Sequence, residues 1–256
     1  MSQCKIIENI AFTTDAGIGS RARIGVVVLA TDYTVEHEFR KIFTIPDVAY
    51  YQARIKNSTA ITPESLAAMG PLITDTVDLI LPGDKLDVVA FGCTSASMVL
   101  GADAITKRIH AARPDAKATN PISAAFAAFD AFGAKKIAVL TPYRRDVNDI
   151  VRNYIETGGY QVPVFGSFNE EHDPTVAAID TASLRNAVKT ITKDQDVDCV
   201  FVSCTSVRLV DAVADIEADL GIPITSSNHA MAWHCLRLAG VTDKMDGLGR
   251  LFQLPI

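Results

Sequence analysis

Two short stretches repeat a tripeptide that could do chemistry. FGCTSASMVLG over 91–101 and FVSCTSVRLVD over 201–211 both carry Cys-Thr-Ser behind an apolar run. A cysteine that leaves a buried strand and enters a helix meets backbone N–H groups and the positive end of the helix dipole. Both lower a thiol's pKa from about 8.5 toward neutrality, which makes the thiol a usable base. The Thr and Ser that follow add hydroxyl donors, so each loop can grip a carboxylate and stabilise negative charge that builds on it. With Cys93 and Cys204 on opposite faces of one substrate, one thiol removes the proton beside a carboxylate while the other returns a proton from the far side. That chemistry inverts a centre through an enediolate and needs no cofactor. The competing interpretation makes both cysteines small buried residues at strand ends, with Thr and Ser as helix caps. The repetition favours chemistry. Cys4, Cys199 and Cys235 lack this context and are expected to be fillers.

The elements that must hold these loops alternate along the chain. Apolar, β-branched runs predict strands at 23–30, 87–92, 136–141, 198–203 and 222–225. Helical periodicity predicts helices at 34–43, 63–81, 97–112, 122–132, 147–157, 181–192, 207–220 and 230–239. This alternation predicts an α/β fold with parallel sheets under helices. The pattern also repeats: RIGVVVLATDYT and KIAVLTPYRRDV begin their strands at Ile24 and Ile137, and Asp87 and Asp198 each stand six residues before a Cys-Thr-Ser cysteine. We therefore expect two similar halves, each a parallel sheet flanked by helices, related by a pseudo-two-fold axis with the active site between them. The expected divisions are an N-terminal arm over 1–22 with a Gly-Ile-Gly turn, a first half over 23–134 and a second half over 135–256. Chain crossover between the halves remains open at this stage.

Composition narrows the partners. The 256 residues are 48% hydrophobic with a net charge of -6, which leaves no basic surface for a nucleic acid or an acidic membrane. Apolar runs such as IGVVVLA at 24–30 fall far short of the roughly 20 residues of a membrane span, and the first fifteen residues lack a secretory pattern. A cytoplasmic location is expected. Five scattered cysteines without a Cys-x-x-Cys pair indicate neither a disulfide framework nor a zinc site. GIGS at 17–20 lacks the spacing of a phosphate loop. Histidines 37, 110, 172, 229 and 234 form no metal-binding pair, although His229 stands where it could line the cleft. No metal and no cofactor are expected. Arg144 and Arg145 are read as a solvated helix entry that could steer an anion.

At the two cysteine loops, at VLTPYRRDVNDIVRNYIETGGY from Val139, at GIPITSSNHAMAWHCLRLAG from Gly221 and at GLGRLF from Gly247, the chain resembles the aspartate/glutamate racemase superfamily. Within it the resemblance is greatest to the branch of arylmalonate decarboxylases and maleate cis-trans isomerases, and it covers nearly everything after Arg23. It implies that Cys204 matches the protonating cysteine of the decarboxylases, which carry glycine where this chain has Cys93. Maleate isomerases have both, which implies a nucleophilic Cys93 and a proton-donating Cys204; racemases of the superfamily use the two as paired bases. Thr94, Ser95, Tyr143 and the backbone at Thr205 fall where the decarboxylases bind a carboxylate. For Tyr143 the plainer alternative is packing at the seam between halves. The resemblance also implies a homo-oligomer.

Two departures bear on the substrate. Maleate isomerases have asparagines where this chain has Asp32, in LATDYT, and Asp173, in NEEHDPT. An ionised aspartate repels a substrate carboxylate by a few kcal/mol at the dielectric of a partly buried site. The expected substrate is therefore a small carboxylic acid with an amino or other cationic group, such as an amino acid or a cyclic amidine. A similarity to decarboxylase-like proteins associated with ectoine use points the same way. The structural alternatives are an N-cap for Asp32 and a solvated turn for Asp173. Racemisation is the leading expectation. Maleate cis-trans isomerisation by cysteine addition, arylmalonate-type decarboxylation and non-catalytic binding of a small acid stay open beside it, the last favoured if the thiols have ordinary pKa values.

Overall fold

The computed structural model describes residues 4–59, 62–170 and 172–256; residues 1–3 of the expected arm lie outside them. The described residues contain two four-stranded sheets, every pairing parallel. The first holds β1 (Ala22–Leu29), β2 (Val48–Ile55), β3 (Val88–Gly92) and β4 (Lys117–Thr119) in the order β2-β1-β3-β4. The second holds β5 (Lys136–Thr141), β6 (Gln161–Ser167), β7 (Cys199–Val202) and β8 (Ile224–Ser226) in the equivalent order β6-β5-β7-β8. All residues of the inner strands β3 and β7 are buried, because helices cover both faces of a parallel sheet and favour continuous apolar runs over alternation. The repeated aspartates have equivalent jobs in the two sheets. Asp87 accepts the Arg23 N–H at 2.9 Å, and Asp198 accepts those of Lys135 and Lys136 at 2.7 and 2.8 Å, each tying down the start of the neighbouring inner strand.

The helices are α1 (Val35–Ile42), α2 (Pro63–Ala67), α3 (Ile73–Asp78), α4 (Thr94–Leu100), α5 (Ala102–Ala112), α6 (Pro121–Phe132), α7 (Arg145–Thr157), α8 (Asp173–Ala178), α9 (Thr181–Thr192), α10 (Val213–Leu220) and α11 (Ser227–Leu238). Three expectations need correction. The single helix expected over 63–81 is broken by a 3-10 turn at Gly70–Leu72, where Pro71 cannot donate to a helical ladder. That expected over 97–112 starts earlier, at Thr94, and divides at Gly101, whose φ of 81° lies outside the helical region. The one expected over 207–220 begins only at Val213.

The lobes exchange helices. Ala230, Met231, Trp233 and Leu236 of α11 pack with Ile24, Val26, Val88 and Ala90 of the first sheet. In return Ile122, Ala125 and Phe129 of α6 pack with Ile137, Val139 and Phe201 of the second. Each sheet is thus covered by the helix that follows the last strand of the other, so the two sheets share one interlocked interior and their facing loops are fixed relative to each other. The described part of the arm has no regular structure up to residue 17 and leaves Ile6, Ile7, Ile10 and Phe12 exposed. Among the described residues no helix is long and apolar enough to cross a membrane.

Candidate functional site

Cys93 follows β3 directly and stands at the N-cap of α4. Its carbonyl accepts the Ser97 N–H at 3.0 Å and the Ser97 hydroxyl at 2.6 Å, so α4 fixes the loop from within. The Cys93 sulfur lies 3.8 Å from Ser95 Oγ and also receives the Ala96 N–H. Thr94 turns away: its hydroxyl donates to Ser227 Oγ at 2.8 Å and ties the loop to α11.

Cys204 is held differently. No helix follows it, since the chain runs through irregular backbone to Val213. Its sulfur accepts the Ser206 N–H at 3.3 Å and the Tyr143 hydroxyl. Tyr143, just after β5, is itself buried and lies within electrostatic reach of both thiols. It therefore does more than pack at the seam.

Both cysteines are only 4% exposed, and this reverses the expected direction of their acidity. Burial pushes the Cys93 thiol up to about 11; the Ala96 N–H and Ser95 pull it down, and the carboxylates of Asp173 and Asp32 push it up again. Burial pushes Cys204 up to about 12 against the pull of Tyr143 and the Ser206 N–H, with Asp173 raising it further. Loss of hydration outweighs a two-turn helix end and a few donors. At neutral pH both thiols therefore carry their protons.

Ser95, Tyr143, Asp173, Cys204, Thr205 and Ser206 line one cavity of about 30 Å³ between the sheets, closed by Leu29, Asn57, Ser58, Met69 and the α2 residues Ser65 and Leu66. It has room for one or two waters. No lysine or arginine is among these lining residues. Asp173 opens α8 and joins the two lobes, accepting the Ser206 hydroxyl at 3.2 Å and the Thr31 hydroxyl at 3.4 Å. Burial raises its pKa. It is thus no solvated turn residue.

Asp32 anchors the entry to α1. Its Oδ1 accepts the N–H groups of Thr34 and Val35, both at 2.8 Å, and so caps α1. Its Oδ2 is buried without a hydrogen-bond partner among the described residues. Burial, with a contribution from Asp173, pushes this carboxyl up to about 6. Cys93, Asp32 and Thr94 stand outside the cavity lining, while Ser95, Tyr143, Asp173, Cys204 and Thr205 meet on it. His229 stands away from the cleft: it is fully buried, bonded to Thr225 Oγ1 at 3.0 Å and to the Leu248 carbonyl at 2.9 Å. Arg145 pairs with Asp149 at 3.2 Å on an exposed face. Among the described residues no group of three His, Cys, Asp or Glu is placed to hold a metal ion.

Sequence reasoning missed Thr31, Ser206 and, deeper in, Glu38 and Asn228. Glu38 reads as an ordinary charged residue of an amphipathic helix, yet it is 1% exposed. A hint was available in its spacing, since Glu38 lies one turn from Val35 and beside Phe39, on the side of the helix that is buried.

The chain is similar to known enzymes. The chain is 27% identical to maleate isomerase of Pseudomonas putida over 90% of its length and 97% of that enzyme. It is also 27% identical to arylmalonate decarboxylase of Bordetella bronchiseptica, with 91% and 98% covered. Its fold superimposes with a TM-score of 0.82, at 23% identity over 91% of this chain and 98% of the other, on a variant of Nocardia farcinica maleate cis-trans isomerase holding a covalently bound succinylcysteine intermediate. The family model described as arylmalonate decarboxylase matches residues 46–252, a span that includes both cysteine loops, Tyr143 and Asp173, and the chain accordingly belongs to the arylmalonate decarboxylase family.

Proposed function

We propose that the protein is a cofactor-independent, two-cysteine isomerase that racemises a small carboxylic acid bearing a cationic group. The observation that carries this reading is the company the thiols keep: Cys204 and Asp173 line a cavity with no cationic residue among its lining, and Cys93, on the other lobe, lies within electrostatic reach of both Asp173 and Asp32. A dianion such as maleate would meet that charge unfavourably, whereas an ammonium or amidinium would meet Asp173 on the cavity wall and the longer-range field of Asp32.

In this scheme the substrate carboxylate is held by Ser95, the Tyr143 hydroxyl and the backbone at Thr205, with the N–H groups at the start of α4. Its cation offsets the field of the two aspartates that helps keep Cys93 protonated, so Cys93 gives up its proton to solvent as the substrate binds. The Cys93 thiolate takes the proton beside the carboxylate and becomes a thiol, leaving the electron pair on the carboxylate as an enediolate. The Cys204 thiol then gives its proton to the opposite face and becomes the thiolate. Reaction of the other enantiomer runs the same steps backward and restores the starting state. Closure of the wall around the substrate strengthens every donor by excluding water.

A second reading has its own support. The maleate isomerases matched over nine-tenths of the chain favour addition of Cys93 to a double bond, rotation, and protonation from Cys204. Exchange of the α-proton into solvent separates the two, because racemisation requires it at a saturated centre and addition to maleate yields fumarate. The deciding experiment follows optical purity and α-deuteration of cationic carboxylic acids in D₂O. Turnover of maleate alone would move the protein to the second reading, and binding without turnover would make it a binder of small acids.

A further inference from the structure

The two cysteine loops are equivalent in topology but not in how their backbone is held. The Cys93 loop runs into α4 and satisfies its own polar groups. The segment 205–210 does not, and its buried N–H and C=O groups need partners. They find them on the other lobe. Glu38 of α1 accepts the N–H groups of Leu209 and Val210 on Oε1, at 2.6 and 2.8 Å. Its Oε2 accepts the Asn228 side-chain amide at 2.8 Å, and that same nitrogen donates at 2.8 Å to the carbonyl of Thr205, next to Cys204. One turn earlier on α1, the Thr34 hydroxyl donates to the Ser206 carbonyl at 2.9 Å. Glu38 is almost fully buried and its contacts include no cation; burial pushes its carboxyl up to about 7 against the pull of these donors. A bare carboxylate in such a place is costly unless its hydrogen bonds are needed.

We propose that Glu38 is a positioning residue for Cys204: through Leu209, Val210 and the Asn228 bridge to Thr205 it clamps the second cysteine loop from the opposite lobe. The proposal rests on the preceding reading only in taking Cys204 as a working thiol.

The test compares the two thiols within one molecule, each serving as the other's reference. Alkylation by iodoacetamide is followed by peptide mass spectrometry for Cys93 and Cys204 in the wild type, Glu38→Gln and Glu38→Ala. In Glu38→Gln the amide oxygen keeps the two N–H groups, but the amide nitrogen faces the Asn228 nitrogen, so the bridge to Thr205 is lost; the Cys204-to-Cys93 rate ratio should rise about threefold. Glu38→Ala frees the whole loop, and the ratio should rise tenfold or more. With the substrate class proposed above, Glu38→Gln should lower kcat while KM stays within about twofold. Equal acceleration at both cysteines would mean general loosening and would overturn the proposal, as would an unchanged ratio in a folded Glu38→Gln protein. Should Glu38→Ala fail to fold, the Glu38→Gln ratio decides alone. Since alkylation needs no substrate, its outcome stands apart from the success or failure of the substrate reading.

Discussion

Asp32→Asn separates what Asp32 does for folding from what it does for a ligand. The side chain is 5% exposed, one oxygen caps α1 and the other has no partner among the described residues. Its pKa of about 6 in the folded protein, against an ordinary 3.8, means that the folded state holds this proton more tightly than the unfolded chain. The contribution of Asp32 to stability therefore falls as pH rises through that window and is lowest above pH 6, where the two-unit shift costs about 3 kcal/mol. Asparagine keeps the cap, since the two are equivalent at N-caps, but leaves an amide without a partner at a cost of about 1 kcal/mol. The variant should be more stable than wild type by about 2 kcal/mol at pH 8, and the gain should vanish by about pH 4.5. Urea unfolding at both values measures this. The same change should weaken a cationic substrate by about two to three hundredfold, from a charge pair about 5 Å apart at an effective dielectric near 20. A variant less stable than wild type at pH 8, or one with unchanged affinity for the cationic substrate, would refute the reasoning.

Two other outcomes follow from burial. Ultraviolet titration of the empty protein near 240 nm should show no thiolate from Cys93 or Cys204 below about pH 9, and thiolate at neutral pH would contradict the pKa values of about 11 and 12. His229 and His234 are buried neutral, with pKa values pushed by burial down to about 4. The unfolded chain takes up those protons first, so their contribution is whole above pH 6.5 and is lost as pH falls toward 4. His229→Gln should lose about 2 kcal/mol less than wild type between pH 7 and pH 5, measured by urea unfolding; equal losses would mean that His229 is charged in the fold.

The inner strands were legible because each is buried on both faces. β5 falls on 136–141 and β1, β3 and β7 within a residue or two of their runs. The three strands that sequence reading missed, β2, β4 and β6, all lie at sheet edges. Half-exposed VAYYQARI has no clean alternation, β4 has only three residues, and β6 contains Pro163, which an edge alone tolerates. The site was half legible. Repetition exposed the cysteines, and departure from the asparagines of the resembled maleate isomerases singled out Asp32 and Asp173. Thr31 and Ser206, which hold Asp173, and Glu38, which holds the second loop, act across the lobes at separations that no local pattern records. The sign of the thiol shift was hidden for a related reason, since the depth of each cysteine depends on α6, α11 and the wall near α2.

Proton NMR in D₂O of the protein with single enantiomers of cationic carboxylic acids, beside maleate and an arylmalonate, decides the matter. Racemisation with one deuterium entering at the inverted centre is expected for a member of the cationic set, absent in Cys93→Ser and in Cys204→Ser. Turnover of maleate or arylmalonate with the cationic acids untouched would contradict the two-base racemase.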